Sequence, residues 1–135
     1  LSMKRHISHP TMETLRVSLI RAKLCERLAR LKSGVYRPGE CFLIGLLSMI
    51  DVLLGMPMEE VLRNLPLSDH IADTLLGKTD WPEHALFQCA ILLEKGSVEE
   101  AYKGIAPLDE PMEALYRSYV EAVSWADQVF PYVSA

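Results

Sequence analysis

Between Cys41 and Gly55 the chain reads C-F-L-I-G-L-L-S-M-I-D-V-L-L-G, with Ser48 and Asp51 the only polar side chains. A surface helix carries one apolar stripe and one wet face. This stretch has no wet face, so it is expected to form a buried helix with other elements packed all round it. At about 15 residues it is shorter than the roughly 20 needed to cross a bilayer, and Pro38-Gly39 before it and Gly55 after it mark helix ends. A carboxylate placed at Ser48 or Met49 is accordingly expected to unfold the domain.

The rest of the pattern is helical too. Leu15, Leu19, Ala22, Cys25, Leu28 and Ala29 recur at helical spacing over 12–32, and Ser33-Gly34 ends that helix. After the buried helix at 40–54, Pro57 opens a short one carrying Val61, Leu62 and Leu65 inward. Ser68 caps a fourth over 69–76, closed by Gly77. Asp80 and Glu83 form a capping box for a fifth, running to Lys95. Ser97 and Glu100 repeat the signature for a sixth that ends near Gly104. A seventh follows Pro111, burying Met112, Leu115, Tyr119, Val123, Ala126 and Phe130 and stopping at Pro131. No segment reads as a strand and the connections are short. The expectation is one all-α domain, a compact bundle of about seven helices, over 12–135 with a leader at 1–11.

Totals narrow the function. The 135 residues suit one core. A formal net charge of −4 gives no electrostatic case for nucleic acid, and no membrane segment is visible. Cys25, Cys41 and Cys89 lie in apolar helical patterns without close spacing. That reads as reduced core cysteine in a cytoplasmic protein.

Several words in fixed order carry a resemblance: Arg21-Ala22-Lys23-Leu24-Cys25-Glu26, Phe42 to Asp51, Pro57-Met58-Glu59-Glu60-Val61-Leu62, and Leu65-Pro66-Leu67-Ser68. The chain resembles the HDOD family, bacterial signalling domains related to the HD phosphohydrolases. It looks most like the HDOD part of EAL-HDOD proteins, in which an EAL domain that acts on or senses cyclic di-GMP precedes it. The resemblance implies an HD-superfamily-like bundle. Members carry further helices before this point, so the chain is expected to be the C-terminal part of a domain in a longer protein. The HD metal site places a His on the first helix and a His-Asp pair after G-L-L. By resemblance those positions are Val17, Ser48 and Met49, and none of the three suits a hydrolytic metal. The resemblance therefore implies a regulatory, non-catalytic module without cofactor, contacting a protein partner or a neighbouring domain.

Other residues bear on a site. Arg16, Arg21, Lys23, Arg27 and Arg30 make the first helix basic and are a candidate anion or partner surface, set against the plainer reading of a solvated face. Val17, Ile20, Leu24 and Leu31 lie off its core stripe and are a candidate association face, with a homodimer expected in isolation. His6 and His9 read as an exposed pair. His70 and Asp73, three apart, could face each other, and His84 reads as surface. Glu113-Ala114-Leu115 spells the EAL tripeptide, but in a helical pattern without companion carboxylates. Two rival functions stay open on sequence alone: a divergent HD-type phosphohydrolase with ligands elsewhere, and a nucleotide-sensing domain.

Overall fold

The structure is a computed structural model and describes residues 9–134, with only the backbone of His9. Those residues are all-helical. In chain order they form α1 (His9–Arg30), α2 (Pro38–Leu47), α3 (Ile50–Leu54), α4 (Met58–Arg63), α5 (Asp69–Leu75), α6 (Glu83–Glu94), α7 (Val98–Gly104), a 3₁₀ turn at Ala106–Leu108, and α8 (Met112–Ser134). Of the leader expected at 1–11, residues 1–8 lie outside this description, and α1 is already helical at His9.

The hub is α1, not the apolar run. It packs along α2 on one side, α8 on another, and α6. Ala22, Leu24, Cys25, Leu28 and Ala29 are all at most 1% exposed. Leu86, Cys89 and Ala90 of α6, Ala101 of α7, and Leu115, Ala122 and Ala126 of α8 complete the core.

The expected buried helix at 41–54 is corrected. It breaks at Ser48-Met49 into α2 and α3, with Met49 at φ −117° and ψ 11° ahead of α3. Within α2, Cys41, Ile44 and Gly45 are buried. Nothing in α3 is, and Val52 and Leu54 are more than half exposed. The reason lies in the contacts: α2 presses one face on α1, whereas α3 packs on little besides α4. Gly55 then closes α3 in the left-handed region at φ 65°, and the Met56 N–H bonds to the Asp51 carbonyl.

Three boundaries also shift. Asp80 does not cap α6, because Pro82 stands at its start and Trp81 supplies the carbonyl for the His84 N–H. Leu65 was expected inward but follows the end of α4 and is 38% exposed. α8 runs through Pro131 to Ser134. Asp127, whose carbonyl Pro131 leaves without a donor, is exposed and can turn that carbonyl to water.

Candidate functional site

The break after α2 holds Ser48 and Met49, two of the positions singled out in the sequence, and a polar clamp sits there. Arg21 lies one turn beyond Val17 on α1. Its Nε and Nη2 donate to Glu94 Oε1 at 2.6 Å and Oε2 at 2.8 Å, a bidentate pair with α6. Its Nη1 donates to Ser48 Oγ at 3.0 Å. Ser48 in turn donates to the Gly45 carbonyl at 2.7 Å. An i−4 bond to Ile44 would be usual for a helical serine. Here the last turn tightens, with the Ser48 N–H also on Gly45, so the partner is three residues back. The Arg21 side chain is 11% exposed and that of Glu94 29%.

Chemically, this arrangement holds elements together. A guanidinium has no lone pair to offer a cation. The Ser48 hydroxyl is committed on both sides, and Met49 offers a soft thioether. Among the described residues no group of three or more His, Cys, Asp or Glu could hold a metal ion. The expectation that a carboxylate at Ser48 or Met49 unfolds the domain is also revised. Both positions are half-buried at a helix break, and a guanidinium stands beside Ser48.

The basic face of α1 proves to be paired. Arg16 meets Asp127 at 3.0 Å and Arg27 meets Glu121 at 3.1 Å, both on α8. Lys23 and Arg30 share Glu26, at 2.8 and 3.3 Å. Burial raises the Glu26 carboxyl pKa, but hydrogen bonds and charge from Lys23 and Arg30 outweigh it and hold the group below its ordinary range. Lys23 also lies 5.1 Å from the Trp125 ring centroid. These carboxylates are 3 to 111 positions away in sequence, so most were invisible to helical spacing.

The candidate association face is corrected as well. Ile20 is 8% exposed and Leu24 1%, both inside the core, because α1 is covered on several sides. Leu31 is partly buried against the same core and Val17 is half-buried.

A second polar cluster, which sequence reasoning missed, ties the amino ends of α2, α5 and α6. His70 is turned to Glu40, not to Asp73: His70 Nε2 and Glu40 Oε1 are hydrogen-bonded. Its ring lies 5.3 Å from that of Trp81. Asp73 accepts from Trp81 Nε1 at 3.0 Å, which lowers its pKa, with Lys78 adding to the effect. Glu83, expected to reach back to a cap, is 1% exposed and accepts from Arg37 at 3.5 Å. His84 is half-buried, not surface, and its Nδ1 is out of solvent without a partner. The His6–His9 pair falls outside the described side chains. Glu113 is exposed in the first turn of α8 while Ala114 and Leu115 are buried.

All three cysteines are buried and free. Burial pushes the Cys41 and Cys89 thiols up to about 12 and Cys25 well above its ordinary value, and the other two cysteines raise Cys25 further. Among the described residues no helix is long and apolar enough to cross a membrane.

No family model matches the chain, and no solved structure does. Two relatives match most of it. The uncharacterized protein YuxH of Bacillus subtilis (strain 168) is 38% identical over 126 residues, which is 93% of this chain and 29% of the relative. The cyclic di-GMP phosphodiesterase CdgJ of Vibrio cholerae serotype O1 is 26% identical over 117 residues, 87% of this chain and 27% of that protein. The chain thus spans less than a third of the length of either, and its likeness is to one part of a longer bacterial protein.

Proposed function

We propose that this chain is an HDOD-type, non-catalytic module of a bacterial signalling protein, and that it works by contact with a neighbouring domain of the same longer chain. The observation that carries the non-catalytic reading is the Arg21 guanidinium. It is locked onto Glu94 and Ser48 where an HD site would gather metal ligands. A fixed cation beside a hydroxyl and a thioether supports cohesion and disfavours capture of a second cation. The likeness to a cyclic di-GMP phosphodiesterase supports a place in cyclic di-GMP signalling. Exposed Val52 and Leu54 on the loosely packed α3 support a contact surface, and three buried free thiols fit a reducing, cytoplasmic setting.

The test is direct. The purified chain, supplied in turn with manganese, iron, zinc and magnesium, is assayed on cyclic di-GMP and on a chromogenic phosphodiester. The expected outcome is no turnover above buffer and no stoichiometric metal by elemental analysis. One equivalent of metal accompanied by turnover would overturn the reading.

A further inference from the structure

We propose that the groove where the last turns of α1 cross the first turns of α8 binds a phosphate group. Arg27, Arg30, Leu31, Ala114, Arg117 and Ser118 line it, with Glu121 at one edge. Only tertiary packing assembles this set, because Arg117 is 87 positions beyond Arg30 in sequence.

The groove is rich in guanidinium donors and one of them is unpaired. Three arginines line the groove: Arg27, Arg30 and Arg117. Two of them are in ion pairs, Arg27 with Glu121 and Arg30 with Glu26, which Lys23 shares. One arginine is left over. Arg117 is exposed and has no ion-pair partner among the described residues. Arg27 spends Nη1 on Glu121, while its Nε is out of solvent without any hydrogen-bond partner. Ser118, 4% exposed, brings a hydroxyl to the same wall.

The groove measures about 150 Å³. That is well below the roughly 300–1,000 Å³ of pockets that enclose drug-sized ligands. It takes one tetrahedral oxyanion, and a nucleotide would leave its base and sugar outside. Arginine forks match phosphate oxygens in a bidentate way, which favours phosphate over a spherical anion such as chloride. The ligand is free phosphate or the phosphate of a nucleotide.

Thermal midpoints separate these cases, measured at constant ionic strength with chloride exchanged for inorganic phosphate or for a nucleoside 5′-monophosphate. A ligand held only by the folded state raises the midpoint by several degrees at about ten times its Kd. The wild-type chain should show a saturable rise. Arg117→Gln removes an exposed, unpartnered side chain, so it should fold normally and weaken binding about ten-fold, the loss of one charged contact. Arg63→Gln, also exposed and unpaired but on α4, should bind as wild type. An equal response to phosphate and nucleotide identifies phosphate as the whole ligand, and a tighter nucleotide adds contacts outside the groove. A rise that does not saturate, or that survives Arg117→Gln undiminished, overturns the proposal.

Discussion

At Gly45 a hydrogen atom is all that fits between α2 and α1. A Cβ built there would stand 2.5 Å from Ala22 N and from the carbonyl carbon and oxygen of Arg21. These are backbone atoms in the middle of a 22-residue helix and cannot swing aside. Gly45→Ala should therefore destabilise the fold by about 1–3 kcal/mol, whatever it gains in helix propensity. Gly39 lies in the same helix with nothing within 4 Å, so Gly39→Ala should stabilise by about 0.5–1 kcal/mol. Urea unfolding of both variants checks the contrast, and equal effects would refute the close crossing. The same crossing delivers Arg21 to Ser48. Ser48→Ala should cost about 0.5–1.5 kcal/mol, and Glu94→Gln about 1–3 kcal/mol because Arg21 then loses its counter-charge in a largely covered site. A double-mutant cycle between positions 21 and 94 should show coupling, and additive losses would mean that the pair contributes nothing.

At the scale of elements, the instructive case is the run from Cys41 to Gly55. Its composition promised burial on every side, and the structure delivers one buried face, along Cys41, Ile44 and Gly45. Hydropathy says what a segment would lose in water; it does not say whether a neighbour is there to cover it. α3 is the result, a short helix with Val52 and Leu54 open to solvent. Stability should follow the structure and not the hydropathy. Ile44→Ala should cost about 2–4 kcal/mol, while Val52→Thr and Leu54→Gln should each stay within about 0.5 kcal/mol. A large loss at Val52 would restore the fully buried helix. Elements set by local chemistry were legible. Leu19, Ala22, Cys25, Leu28 and Ala29 of α1 lie where helical spacing puts them, and Gly77 and Gly96 end their helices. What stayed illegible was long-range: Glu94 against Arg21, Asp127 against Arg16, Glu40 against His70 and Arg117 beside Arg27. No spacing rule reaches across 30 to 111 residues, and the candidate site is made of such pairs.

For the molecule as a whole, the three thiols make stability depend on alkaline pH. Cys25 on α1, Cys41 on α2 and Cys89 on α6 share one core, so α1 cannot separate from its neighbours without wetting them. Their folded pKa values are raised, to about 12 for Cys41 and Cys89, by burial first and then, for Cys41, by Glu83 and Glu40. In the unfolded chain a thiol ionises near its ordinary value of about 8.5. Above that pH the unfolded state has released protons that the folded state still holds, so stability must fall as pH rises. The thiol contribution is complete below about pH 8.5 and is lost progressively toward about 12. Each cysteine adds a slope of up to about 1.4 kcal/mol per pH unit, and three together about 4. Tyr36, raised by burial and by Glu83, acts in the same direction at higher pH. On the acid side Glu26 and Asp73, both lowered, give stability that is present above the ordinary carboxylate range and lost as pH falls through their folded values. Chemical unfolding at a series of pH values should show a plateau from about pH 6 to 8 and a steep alkaline decline. Over that decline the folded protein should show no thiolate absorbance and resist thiol reagents. Cys89→Ser would disturb the packing, so Cys89→Ala is the better probe: it should reduce the alkaline slope by about a third. A flat profile to about pH 11, or native thiols that titrate near their ordinary value, would show that water reaches the centre of the bundle.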